Sequence, residues 1–439
     1  MEQKEKKRAI LGWVMYDWAN SAFVTTITAA VLPVYYASVA AADLLPNIRT
    51  AYWSYTTTIA LLIVALMGPV MGAMADFSGS KKKFLTIFAL LGIAGAALLF
   101  FIQEGDWLLA SIFYIIGNVG FAGANVFYDS LLPHVTDEDE RDQVSSRGYA
   151  FGYLGGGILL AINLAMIMLA KDGAASALMS RISFLMVAGW WLIFTIPLWR
   201  WVKEPTRRIL KGEENFNPVQ ASFSRLAHTF GEIRKYKELF KFIIAFWLYN
   251  NGIATIIVMA TIYWTELNLS STTTIGALLL VQFVAIPFSL LFGWLRKEFG
   301  TKRAFLFSLF NYTIIAIGGY FMTKDIHFWI LGFGVATVQG GSQALSRSLF
   351  SRMVPKSKSA EFYSFFSVSE KIAGTVGPLL FGVVSTLMGG SRLSIVSLII
   401  FFITGGYLLS RVNENEGMEV AKAEEARLVS ATAVEGNEA

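Results

Sequence analysis

The sequence predicts an all-α membrane protein with twelve transmembrane helices in two six-helix bundles. Three observations predict it: a composition too apolar for a soluble chain, twelve apolar stretches of bilayer length, and a repeat relating the two halves. Of 439 residues, 55% are hydrophobic before 38 glycines are counted, and only 15% are charged; a soluble chain carries about 25%. A helix needs about 20 apolar residues to cross the bilayer. Twelve such helices and their connections occupy nearly the whole chain and leave little for a catalytic domain.

The same count excludes other classes. With no cysteine there is no disulfide, iron–sulfur site or thiol nucleophile, and His134, His228 and His327 lie too far apart in sequence to suggest a metal site. No G-x-x-x-x-G-K-[ST] loop is present, so a proton or sodium gradient is the expected driving force, without a cofactor. The net charge of +5 is spread over short loops, which fits membrane orientation and not nucleic-acid binding. An enzyme is not expected. The expected partners are the lipid bilayer and a small-molecule substrate, with the monomer as the working unit.

In chain order, the apolar stretches run over residues 11–40, 52–76, 84–103, 107–132, 147–170 and 182–202, then 239–265, 273–295, 303–323, 326–350, 362–388 and 391–411. They define an N-terminal segment (1–10), a first bundle (11–202), a linker (203–238), a second bundle (239–411) and a tail (412–439). With the N-terminus inside, the inside segments hold thirty Lys and Arg residues and the outside loops five, namely Arg49, Lys171, Arg181, Lys324 and Arg392. That asymmetry places both termini in the cytoplasm. The first apolar stretch is too long for a cleaved signal peptide. In the linker, Phe223, Leu226, Phe230 and Ile233 recur at helical spacing beside Arg225, Arg234 and Lys235, the pattern of an amphipathic helix on the membrane surface, with a partner-binding helix as the alternative. The tail has seven glutamates and no aromatic residue and reads as disordered or a frayed helix.

The repeat supports the two-bundle layout. Gly72, Asp76, Gly79, Lys81 and Lys82 between the second and third spans match Gly293, Lys297, Gly300, Lys302 and Arg303 between the eighth and ninth, 221 residues later. At an offset of 222, Pro133, Gly152 and Gly155 match Pro355, Gly374 and Gly377. The halves look like duplicates.

The first loop carries the signature G-x-x-x-D-x-x-G-x-[KR]-[KR] and, with the six-plus-six layout, resembles the major facilitator superfamily over the whole membrane portion. Its glycines permit a tight turn and its bases anchor the loop at the anionic leaflet. Asp76 is placed to meet the positive N-terminal end of a neighbouring helix, the eleventh being the candidate. Tyr16-Asp17-Trp18-Ala19-Asn20-Ser21, with the Gln343–Pro355 stretch and the segment from Glu361, resembles the vacuole-effluxer branch. That resemblance implies alternating-access transport and tilts the solute toward amino acids or related metabolites, exported. The compact loops look prokaryotic, so a prokaryotic cell membrane is expected. An amphiphile or drug exporter of the same fold and a transporter-like sensor are the alternatives.

Polarity in the spans locates the expected solute path. Asp17, Asn20 and Thr28 share a stripe on the first span, and Asn118, Asn125 and Asp129 share a face of the fourth. The seventh offers Asn250 and Asn251, and the tenth Gln339, Gln343, Ser346 and Arg347. The resemblance makes spans 1, 4, 7 and 10 the cavity helices. Asn20, Asn118, Asn125, Asn250, Asn251, Gln339 and Gln343 are therefore candidate substrate ligands, with hydrogen bonding between helices as the competing role. An ionised side chain at a helix centre costs about 2.5 to 3.5 kcal/mol, so Asp17, Asp129, Arg347, Glu370 and Lys371 need partners or water. They read as a gate pairing across the bundles. The sharper alternative has Asp17 or Asp129 carrying a coupling proton and Arg347 anchoring a carboxylate, and snorkelling to the interface is a third. Glycines 148, 152 and 155, and Gly374 and Gly377 before Pro378, permit close packing or a hinge.

Overall fold

The computed structural model describes residues 3–206, 224, 233–266, 271–388 and 391–433. Among the described residues, twelve helical segments build the two bundles. The first bundle comprises α1 (Gln3–Ala40), α2 (Pro46–Ser78), α3 (Lys81–Leu98), α4 (Trp107–Val135), α5 (Arg141–Met168) and α6 (Gly173–Trp201). The second comprises α7 (Lys237–Glu266), α8 (Ser271–Phe299), α9 (Thr301–Tyr320), α10 (Asp325–Arg352), α11 (Ser359–Met388) and α12, which runs in two pieces, Ser391–Ser397 and Ile399–Ser410. No strand occurs among the described residues.

Each bundle has its own core. Trp13, Phe23, Tyr36, Phe127 and Trp191 lie in one buried cluster, and Phe242, Tyr249, Phe305, Tyr312 and Phe402 in the other. Large apolar side chains on the opposite faces, such as Leu66, Ile193, Phe310 and Ile403, are exposed; this is the surface that acyl chains cover. Among the described residues, nine helices meet the length and apolarity needed to span a bilayer. α10 is not among them, and it carries Gln339, Gln343, Ser346 and Arg347.

The repeat has a backbone counterpart. Gly79 ends α2 at φ 61° and Gly300 follows α8 at φ 81°, left-handed turns that a side chain resists. In α1 the helical turn widens over Phe23–Val31 and Tyr36–Ala40 into π-helix, a deformation that favours functional positions.

The tail departs from expectation. Glu414–Ala433 forms a helix, α13, docked on the second bundle. The reason is electrostatic: the buried Glu424 carboxylate pairs with Lys235 at 2.6 Å, Arg427 at 2.9 Å and Lys358 at 3.3 Å. Glu425 also accepts from the Ser357 backbone N–H at 2.9 Å and its hydroxyl at 2.8 Å. Composition alone does not show that so many cations await these glutamates. Most of the proposed linker helix, including Phe223, Leu226 and Phe230, lies outside the described residues.

Candidate functional site: an interbundle gate beneath a cavity

Four helices bring the expected polar residues together by their spacing. On α1, Trp13, Asp17 and Asn20 follow i, i+4, i+7; on α5, Ser145, Tyr149 and Tyr153 follow i, i+4, i+8; on α10, Gln339, Gln343 and Arg347 do the same. Tyr128 and Asp129 come from α4. The α10 row faces the α1, α4 and α5 rows across the seam between the bundles.

Arg347 crosses that seam. Its Nη1 donates to Asp129 Oδ1 at 3.1 Å and Asp17 Oδ2 at 3.4 Å, its Nε to Ser145 Oγ at 2.9 Å and its Nη2 to the Ser145 carbonyl at 2.9 Å. The guanidinium lies 4.2 Å from the Tyr149 ring centre, 4.7 Å from Trp13 and 5.5 Å from Tyr128, within reach of cation–π attraction. Tyr128 donates to Asp17 Oδ2 at 2.9 Å, while its carbonyl receives the Trp13 indole N–H at 2.8 Å. Gly148 leaves the space: a Cβ there would stand 2.9 Å from both Arg347 Nη2 and Asp17 Oδ2. A planar cation thus fills a slot of two carboxylates, a serine and three aromatic rings, all in the other bundle.

Two further contacts close the same face. Asp142, opening α5, pairs with Arg296 from α8 at 2.6 Å and with Arg352 from α10, while Arg141 donates to the Ser351 carbonyl at 2.7 Å. Asp76, at the end of α2, accepts from the Ala360 and Glu361 backbone N–H groups at 3.2 and 2.8 Å, at the N-terminus of α11. Lys81 pairs with Asp76 at 2.8 Å and donates to Ser359 Oγ at 2.6 Å and the Lys356 carbonyl at 3.1 Å. Gly72 is required here because a Cβ would sit 2.5 Å from the Ala360 carbonyl oxygen. Lys82 caps α6, donating to the Trp199 and Val202 carbonyls, each at 2.8 Å. The repeat has reversed its charges. An acid from the α2 end meets the α11 N-terminus, and a base from the α8 end meets an acidic α5 N-terminus.

Above the gate, Tyr153 donates to Gln343 Oε1 at 2.8 Å across the seam. Beyond that pair, toward the other face, lies a cavity of about 250 Å³ lined by α1 and α7 to α12, with Gln339 on its wall. The remaining expected ligands are placed differently. Asn20 donates to Asn125 Oδ1 at 2.6 Å, joining α1 to α4, and Asn118 donates to Tyr114 on its own helix at 3.0 Å. Asn251 is a correction: fully buried, it donates to the Trp247 carbonyl at 2.6 Å and accepts from Gly377 N–H at 2.9 Å. Its oxygen ties α7 to α11, its nitrogen bonds back within α7, and it does not line the cavity. Asn250 is half-buried. Glu370 is exposed and makes no ion pair with Arg347 among the described residues; the Lys371 side chain lies outside them. Sequence reasoning missed Ser145, Tyr149 and Tyr153 because uncharged residues on a helix row give no cost signal. Their shared register with Gly148 and Gly152 was the available clue.

The family model for "Vacuole effluxer Atg22 like" matches residues 45–422. The chain belongs to this family. It is 41% identical over 414 residues to the MFS-type transporter YxiO of Bacillus subtilis (strain 168), covering 93% of this chain and 96% of that one. Autophagy-related protein 22 of Coccidioides immitis (strain RS) is 24% identical over 456 residues, covering 86% and 74%. Among solved structures, the major facilitator superfamily transporter FucP in the outward conformation aligns with TM-score 0.70 at 15% identity over 93% of this chain and 98% of that one. The proton:xylose symporter XylE aligns with TM-score 0.70 at 14% identity over 95% and 98%. This effluxer-family chain is a multi-pass membrane transporter with the major facilitator fold, not an enzyme.

Proposed function

We propose that this effluxer-family chain exports a small organic solute by alternating access, with the Arg347 slot as its inner gate. The gate face carries the basic loops, so it is assigned to the cytoplasm together with both termini. The conformation is then outward-facing, in a prokaryotic cell membrane. One observation carries the reading: a guanidinium from the second bundle is held entirely by groups of the first, with the cavity on the other side of that seat. Opening inward must break that seat.

Asp17 and Asp129 supply the coupling. A proton arriving on either carboxylate removes its part of the attraction for Arg347 and lowers the cost of opening. A proton gradient can therefore bias the cycle, and sodium is the competing ion. Export agrees with the family's effluxer description, and the resemblance brings amino acids and related metabolites forward as cargo. Flux in proteoliposomes under an imposed proton gradient tests the reading. Gradient-driven exchange supports it; solute binding without flux under any gradient makes the chain a sensor and defeats it.

A further inference from the structure

The cavity wall bears on which solutes can enter. Thr25 on the π-helical turn of α1, Thr255 on α7, Gln282 on α8 and Gln339 on α10 are its polar side chains among the described residues, and the rest are apolar, including Val281, Phe328 and Val335. The threonine hydroxyls are already committed: Thr25 Oγ1 donates to the Gly156 carbonyl at 3.1 Å and Thr255 Oγ1 to the Asn251 carbonyl at 2.6 Å. Gln282 is left to read a ligand, together with the part of the Gln339 carboxamide that its hydrogen bond to the Tyr153 oxygen leaves over. Gln282 sits at the bundle seam, where a Cβ on Gly157 would lie 3.1 Å from its own Cβ. Asp17, Asp129 and Arg347 pair with one another in the gate, and neither they nor the exposed Glu370 line the cavity.

We infer that the cavity takes an uncharged solute: an apolar body against α8 and α10, and a neutral carbonyl, amide or hydroxyl group hydrogen-bonded by Gln282 and Gln339. A carboxamide both donates and accepts, so it matches a neutral polar head from either side. A carboxylate or ammonium head sheds water and receives no opposite charge from the described residues of this wall. The protein thus separates its tasks, with ionisable groups in the gate and hydrogen-bonding neutral groups in the cavity. This inference rests on the transport reading of the same cavity, and of the cargo that the family resemblance brings forward it selects neutral related metabolites over amino acids.

The test uses the full-length protein with Ser146→Cys, a buried position beside Gly293 on the α5–α8 seam; the natural chain has no cysteine. Its thiol-labelling rate reports gate opening. The probes share one isobutyl body and differ in the head: 4-methylpentanamide (neutral), 4-methylpentanoate (anion), isoamylamine (cation) and leucine (zwitterion). Benzyl and indolylmethyl sets repeat the series. The neutral amides are expected to change the labelling rate at concentrations at least roughly a hundredfold below the charged heads. Gln282→Leu and Gln339→Leu should each weaken that response about fivefold. A response to leucine at or below the amide concentration overturns the neutral class and leaves the transport reading standing. A response to none of the probes overturns the inference. Labelling that stays fixed under a proton gradient as well defeats the alternating-access reading itself.

Discussion

Arg347→Ala should unlock the gate. The substitution removes four hydrogen bonds and three ring contacts, and leaves Asp17 and Asp129, both on the first bundle, facing each other without a cation. Breaking a buried pair by removing one partner costs about 3–5 kcal/mol. That cost falls only on the closed state, because in the open state water reaches both carboxylates. The closed–open equilibrium should therefore shift by roughly 10²- to 10⁴-fold. The assay is the thiol-labelling rate of Ser146→Cys with and without Arg347→Ala. Arg347→Lys keeps the charge but not the planar stacking or the forked donors, and should fall between the two. A variant with Arg347→Met, Asp17→Asn and Asp129→Asn leaves no unpaired charge and should regain most of the closure. A labelling rate within threefold of the parent in Arg347→Ala would refute the reasoning, and so would a triple variant as open as the single one.

Gly148→Ala pushes a methyl against the guanidinium and Asp17 and should raise Ser146→Cys labelling by about tenfold, for an overpacking cost of about 1–3 kcal/mol. Asp17→Asn should reduce transport and alter its pH dependence while expression remains intact; normal flux with an unchanged pH profile removes Asp17 from coupling. Asn251→Leu orphans the buried Gly377 N–H and should lower thermal stability by about 1–3 kcal/mol without changing KM for transport. Burial alone would raise the Glu424 carboxyl, but the bond from Lys235, with Lys358 and Arg427, brings it to about 2 from 4.5. A depressed acid stabilises above its unfolded value, so α13 docking gains from the Lys235 and Lys358 pairs at neutral pH, while Arg427 lies on α13 itself. That gain declines as pH falls below 4.5 toward 2 and is absent in Glu424→Gln, measurable as protease cleavage within residues 412–433.

The sequence foretold the helices because crossing a bilayer imposes length and apolarity on each one separately, and the duplicated loops tied the halves together. Asp17, Asp129 and Arg347 stood out because charge in a membrane helix is costly, Asp76 because of the repeated loop motif, and the structure gives each a partner. Uncharged residues were harder to read. Asn251 and Gln339 look alike in sequence, yet one satisfies its amide on the backbone of α11 and the other faces the cavity. Tyr149 and Trp13 carry no signal in the sequence, and the guanidinium between their rings gives them their place. The tail escaped because its acidity has meaning only beside Lys235 and Lys358, which chain distance hides.

The most direct test of a two-bundle carrier gated by Arg347 is a pair of spin-label distances measured in one membrane preparation. Labels at Asp139 and Lys297 report the gate face, and labels at Lys171 and Lys324 the opposite face; all four positions are exposed. The account predicts that Arg347→Ala lengthens the first distance and shortens the second together. Two distances that stay fixed, or that lengthen in concert, would contradict it.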